Sequence, residues 1–322
     1  MPRLALALAL TLTVSPALAR NAKRRHDHHR RPAPPVPALT PDGWPNVKAP
    51  AAVVVDLDSG EELYNKAPDE VRRIASVGKL FVALAVRSHK LPLDAATAII
   101  QEDRQFARGG SKSRLHEGKA FTNHDLLRAM LIGSDNRAVT ALGRAVGMAP
   151  ADLVAAMNAQ ARRLGLKKTS FTDPTGLNGN VSTPREVVVA LRAALDDPVL
   201  AEILRTSEYV VRSASHPGYR VAYNNTNHSL RAGRYDVIGG KTGYTDEARY
   251  CLAVASRLEG RRIGMVFLGA EGELTRFADF NRVADWVVSG APRRMRPSSA
   301  GGVGAALEPP PGALTTRLKS AP

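Results

Sequence analysis

The run Ala51-Ala52-Val53-Val54-Val55-Asp56-Leu57 constrains the fold more than any other stretch of the chain. It is apolar almost throughout and closes at Ser59-Gly60, the pattern of a buried strand ending in a turn. A lone strand cannot make a sheet. The segments that follow read as helices. Residues 76–88 are apolar on nearly every side, as in a core helix, and residues 123–131, 136–146 and 151–164 follow with helical periodicity. β-rich runs return only late, at 208–212, 235–238, 249–257 and 261–268, before a closing amphipathic helix over 277–288 that carries Trp286. The early strand must therefore pair with late ones. The expectation is an α/β fold of the α+β type: an antiparallel sheet built from both ends of the core, covered by helices, with the helical block as a second lobe. A cleft between two lobes is a usual place for a site.

The only cysteine is Cys251, so no internal disulfide can carry the fold. The ends have a different composition. Arg3, the apolar stretch 4–14 and Ala17-Leu18-Ala19 form the pattern of an export signal over residues 1–19. That stretch is shorter than the ~20 apolar residues a membrane span needs. Residues 20–31 hold six Arg or Lys and three His, and 32–50 are rich in Pro and Ala, so 20–50 read as a disordered linker. Residues 291–322 read as a disordered tail, leaving 51–290 as the folded domain. The formal charge is +15. It points either to an anionic partner of the basic segment (envelope polymer, membrane surface or nucleic acid) or to a merely solubilising charge.

Three short motifs fall inside the expected domain: Ser76-Val77-Gly78-Lys79, Ser134-Asp135-Asn136 and Lys241-Thr242-Gly243. Ser76 and Lys79 are one helical turn apart and share a face. A serine hydroxyl needs a base to become a nucleophile, and a desolvated lysine with a lowered pKa can serve. The alternative is a helix-capping serine with a surface lysine. Ser134 and Asn136 enter a helix, either as caps or as a polar wall, with Ser134 relaying a proton and Asn136 bonding substrate or Lys79. Around Lys241 and Thr242 a strand edge can receive an extended peptide, with Gly243 permitting close approach and Lys241 facing a carboxylate.

Other chemistries lack their residues. Gly240-Lys241-Thr242 is no phosphate loop, because Tyr235 stands where the motif needs glycine. No G-x-S-x-G occurs. The core histidines, His89, His116, His124, His216 and His228, have no metal-ligand spacing, so neither a metal nor another cofactor is expected.

With these motifs in this order, residues 51–288 resemble the serine D-alanyl-D-alanine peptidases, the low-molecular-mass penicillin-binding proteins. Asp173-Pro174-Thr175-Gly176-Leu177, Ser182-Thr183, Asn225-Thr226-Asn227-His228, Tyr250-Cys251-Leu252 and Trp286 add to the likeness. The resemblance implies a β-lactamase/transpeptidase-like fold, Ser76 as acylated nucleophile, Lys79 as base, and Ser134 with Asn136 as the second element. It also implies Lys241 and Thr242 at the substrate carboxylate, an oxyanion hole from the Ser76 and Tyr244 N–H groups, and a basic Arg276 near that carboxylate. Peptidoglycan stem peptides become the expected substrates and β-lactams covalent inhibitors, in an exported, periplasmic or wall-associated enzyme with no nucleic-acid partner. The main reading is a carboxypeptidase; Ser134 to Ala138 and the short tail look closer to members that cut cross-links. Gly78, where Thr is usual, is expected to loosen the turn. A class A β-lactamase needs a glutamate for deacylation, and none lies between Glu117 and Glu186. A non-catalytic wall-binding protein fits less well, because the reactive residues are all present.

Overall fold

The computed structural model describes residues 36–294. The expected export signal over 1–19, the basic stretch 20–31 and the tail after 294 lie outside the described residues. The described residues from Ala38 onward form one compact unit.

Its centre is a five-stranded antiparallel sheet. The strands are β1 (Ala51–Asp56), β2 (Glu62–Lys66), and, after the helical lobe and a separate hairpin of β3 (Glu208–Arg212) and β4 (Arg220–Asn224), β5 (Asp236–Thr245), β6 (Arg249–Leu258) and β7 (Arg261–Ala270). The order across the sheet is β2-β1-β7-β6-β5. The early strand does meet the late ones: Val53 pairs with Val266 across β1 and β7, and Ala253 with Lys241 across β6 and β5.

The unbroken apolar run in β1 follows from burial on both faces. Val53 and Val55 join the cluster containing α1 (Lys79–Ser88), whereas Ala52 and Val54 join the cluster under the closing helix, with Phe280, Val283 and Trp286. Alternate side chains point to opposite faces of a strand, so a strand covered twice has no polar side.

The helical lobe contains α2 (Asn123–Ile132), α3 (Arg137–Ala145) and α4 (Pro150–Arg163). Two further helices, α5 (Pro184–Asp196) and α6 (Pro198–Arg205), were not expected. Their start signals are nonetheless present. Thr183 accepts from Glu186 N at 3.1 Å, Asp197 accepts from Val199 N and Leu200 N, and each helix has proline in its first turn. The closing helix α7 runs Glu273–Val288.

Three expectations need correction. Residues 38–50 are not linker. Val47 and Ala49 are buried, Asp279 accepts from both Lys48 N and Ala49 N at 2.8 Å, and Trp44 stacks 5.6 Å from Trp286. Pro-rich composition hid a strap whose order comes from α7, far away in sequence. Ala291–Arg294, expected as tail, form a short helical turn. The run 208–212 does not enter the main sheet. It pairs with β4 on the helical lobe, where Arg212 N donates to the Asp125 carboxylate of α2 at 3.1 Å.

Candidate active site

Ser76 lies in a 3₁₀ turn, Ala75–Gly78, that leads directly into α1. Ala75, just before it, holds φ 47°, a left-handed conformation that costs a non-glycine residue ~1–3 kcal/mol and persists only where the surroundings enforce it. Two backbones enforce it here. A Cβ on Gly176 would lie 2.5 Å from Ala75 O, and one on Gly243 would lie 2.7 Å from Ile74 O and 3.0 Å from Ser76 N. The Ser76 turn is gripped between the 173–177 loop and β5 at distances that exclude any side chain. Gly78, by contrast, is not a loose point. It has ordinary right-handed helical angles, and an added Cβ would meet its nearest neighbours at 3.5 Å, an unstrained contact.

Lys79 is the hub. Its Nζ lies 2.7 Å from Ser76 Oγ, 2.6 Å from Asn136 Oδ1 and 2.7 Å from Thr175 O, and the residue is fully buried. Burial pulls its pKa down to about 7, against the opposing pull of the Asp173 and Asp135 carboxylates. The capping and surface-lysine alternatives are thereby excluded. The spacing in the sequence brings Ser76 and Lys79 together, and α3 delivers Asn136 from across the cleft.

Ser134 also adopts a left-handed conformation, φ 57°. Its neighbour Asp135 explains why. The buried Asp135 carboxylate accepts from Ser113 Oγ and Tyr223 OH at 2.7 Å and from Arg137 N at 3.0 Å, tying the second motif to β4 and to the start of α3. Lys241 Nζ lies 3.1 Å from Ser134 Oγ, so the second and third motifs meet. Lys241 is buried too. Desolvation, and then the positive charges of Lys79 and Arg276, hold its pKa well below the usual lysine range. Thr242 Oγ1 donates to Thr226 Oγ1 at 2.6 Å, which accounts for the 225–228 segment beside the motif.

The third motif lies inside β5 rather than ahead of a strand. Tyr244, directly after the motif, stands exposed, its ring 4.3 Å from that of Tyr250. Arg276 stands behind the strand. Its buried guanidinium donates to Gly243 O at 3.0 Å and Cys251 O at 3.2 Å, and it is not among the residues that line the cleft. Its contact with Lys241 is one of charge, and its hydrogen bonds hold the strand.

Ser76, Ser134 and Asn136 open into a cleft of about 400 Å³. Residues 108–111 form one wall and 244–247 the other, with Leu177 and Asn178 between them. A larger cavity of about 470 Å³, between α6 and the start of β5, holds none of these residues.

The sequence reading missed how the 173–177 loop acts. Asp173 gathers Thr175 Oγ1 at 2.9 Å and the N–H groups of Gly176 and Leu177 at 2.7 Å, and so fixes the Thr175 carbonyl on Lys79. The group that Lys79 donates to here is a backbone oxygen, which no residue type announces. Glu186, the first glutamate after the gap, is spent on Lys167 N, Lys168 N and Thr169 Oγ1.

Comparison with known proteins agrees with this geometry. The family model for D-alanyl-D-alanine carboxypeptidase matches residues 38–272, including the strap that composition had hidden. A D-alanyl-D-alanine endopeptidase of Pseudomonas aeruginosa is 36% identical over 241 residues, 74% of this chain and 77% of that protein. One of Escherichia coli is 32% identical over 255 residues, 79% and 81% of the two chains. The solved D-alanyl-D-alanine carboxypeptidase of Mycobacterium tuberculosis superposes with a TM-score of 0.70 at 29% identity, covering 84% of this chain and 98% of that one. With a penicillin-binding fold, a family model spanning most of its length, and relatives above 30% identity across three quarters of it, the chain belongs to the peptidase S11 family of D-alanyl-D-alanine carboxypeptidases.

Proposed function

We propose that the protein hydrolyses D-alanyl-D-alanine bonds of peptidoglycan stem peptides through an acyl-enzyme on Ser76. The observation that carries this reading is the buried Lys79 Nζ at 2.7 Å from Ser76 Oγ with a pKa brought to about 7. A neutral amine there takes the hydroxyl proton as Oγ attacks the penultimate D-alanine carbonyl. The oxyanion is received by the N–H groups of Ser76 and Tyr244, each such donor contributing ~3 kcal/mol in comparable sites. Lys241, desolvated, meets the terminal carboxylate, with Thr242 beside it. That negative charge favours the ammonium form of Lys241. Ser134, bridging Lys241 and the cleft, relays to the departing amine the proton that Lys79 took up, which returns Lys79 to its neutral form. Water then attacks the ester, with Lys79 again as base.

Loss of the terminal D-alanine is the main reading. Cleavage of cross-links is the second, favoured by the two endopeptidases at 36% and 32% identity. Mass analysis of purified wall fragments before and after incubation separates them. Pentapeptides shortened by one D-alanine identify the carboxypeptidase, dimers converted to monomers the endopeptidase, and fragments unchanged in mass refute both. Such a substrate lies outside the cytoplasm, consistent with the export pattern in residues 1–19.

β-Lactams are expected to acylate Ser76 and stay. Acylation uses only groups already in place, whereas fast release by the class A β-lactamase route needs a glutamate base for water, and none lies between Glu117 and Glu186, while Glu186 itself is held by Lys167 N and Thr169 Oγ1. A fluorescent penicillin should therefore label the protein stoichiometrically and survive a chase. Rapid steady turnover of penicillin contradicts this.

A further inference from the structure

The rim beside the second motif carries charge that takes no part in the reaction. We propose that segments 112–119 and 212–220 form one cationic surface that holds the carboxylates of stem peptides next to the one in the cleft. The inference rests on the peptidase reading above and adds how the enzyme stays on a polymeric substrate.

The two segments are knit together. Ala120 N donates to Ser215 Oγ at 2.9 Å, and Ala214 N donates to Ala120 O at 2.8 Å. Tyr219 OH donates to Arg114 O, and the Tyr219 ring lies 5.3 Å from that of His116 and 5.8 Å from Lys119 Nζ. Between them the segments hold five cations, Lys112, Arg114, Lys119, Arg212 and Arg220, against one carboxylate, Glu117. All but the half-buried Lys119 are exposed. Among the described residues none of the five side chains makes an ion pair within 4.0 Å. The carboxylates that touch the two segments are engaged with other groups. Glu117 lies 3.9 Å from Arg104, Asp125 lies 3.3 Å from Arg128, and the buried Asp135 accepts from Ser113 Oγ and Tyr223 OH. Arg212 even stands directly opposite Arg220 across β3 and β4, a like-charge pairing that destabilises a hairpin.

An unbalanced cluster of this kind calls for an anionic partner. Its place says which. Arg114 N reaches the Asp135 carboxylate at 3.4 Å, one residue from Ser134, and the nearby residues 108–111 line the cleft. The surface therefore continues the rim of the cleft on the helical lobe, where a polymer with one peptide engaged lays down its others. Stem peptides carry free carboxylates, and a wall strand presents many of them side by side. Holding several at once raises the effective concentration of the next scissile bond at Ser76. None of the exposed large apolar side chains falls in either segment, so the surface has none to insert into a bilayer.

Lys119→Glu with Arg212→Glu tests this, one change in each segment, leaving three cations against three carboxylates. Neither residue lies in the cleft lining. For sedimentation with purified walls, the parent and the variant both carry Ser76→Ala so that the walls stay intact, and the basic stretch 20–31, common to both, cancels in their ratio. At about 50 mM salt the variant should bind walls about 10-fold more weakly, the scale of a few exposed ion pairs, and the gap should close as salt rises. With Ser76 restored, hydrolysis of walls should fall by a similar factor, while kcat/KM on a soluble stem pentapeptide stays unchanged. Walls whose carboxylates have been converted to amides should bind both proteins alike. Equal wall binding by the two proteins, a gap that survives amidation, or a matching loss on the soluble pentapeptide overturns the proposal. So does a gap seen only with phosphatidylglycerol vesicles. A soluble pentapeptide left intact by the unaltered enzyme overturns the peptidase reading instead, whatever the sedimentation shows.

Discussion

Ser76→Ala is expected to abolish peptide hydrolysis and covalent penicillin capture together, with the thermal transition preserved. The change removes one oxygen. Lys79 keeps its bonds to Asn136 Oδ1 at 2.6 Å and Thr175 O at 2.7 Å, so the hub stays anchored. Loss of kcat/KM should be at least about 10⁴-fold, the scale on which removing a serine nucleophile acts elsewhere. Gel fluorescence with a labelled penicillin and hydrolysis of a stem pentapeptide check it. A labelled band persisting in this variant would remove Ser76 from its role, whatever the family.

Lys79→Met should cost about 10³-fold in the rate of penicillin acylation, within the range general bases contribute. It also exposes a second signature. In the unaltered enzyme the base is the neutral amine, so acylation should rise with pH through about 7 and then level. The variant's residual rate should lack that rise. Stability moves too. The folded lysine titrates near 7 and an unfolded one near 10.5, so between those values the unfolded chain holds the extra proton. The unaltered protein therefore gains stability as pH climbs through that window and carries the full penalty below it, on the order of several kcal/mol for a shift this large. Lys79→Met removes that penalty. Its melting temperature should exceed that of the unaltered protein by more at pH 6 than at pH 10. Lys241 adds a slope of the same sign to both proteins, a shallower one in the variant because the Lys79 charge no longer helps depress its pKa. An acylation rate flat from pH 5 to 9 in the unaltered enzyme would refute the lysine base.

What could be read from sequence follows a physical line. β1 was legible because burial on both faces leaves no polar residue in it before Asp56 at its end, and Ser76 with Lys79 because one helical turn sets their separation. The meeting of Lys79 with Asn136, and of Lys241 with Ser134, was legible only through resemblance, since long-range contacts leave no spacing to measure. Arg276 was legible as a cation but not as a clamp, because its partners are carbonyl groups of Gly243 and Cys251. The same holds for Thr175, whose working atom belongs to the main chain. The strap over 38–50 was hidden because its order comes from Asp279 and Trp286, at the other end of the domain.

The pairing of β1 with β7, Val53 against Val266, has a consequence for the birth of the enzyme. Joining strands so far apart in sequence requires the closure of a very long loop, and nearly the whole domain must leave the ribosome before the first strand, which pairs on its other edge with the nearby β2, finds its second neighbour. The grip of Gly243 on the serine turn comes equally late. A nascent chain thus has a nucleophile without a site. Of the central sheet its first third holds no more than the β1–β2 hairpin during synthesis, and catalytic competence arrives only with the last strands.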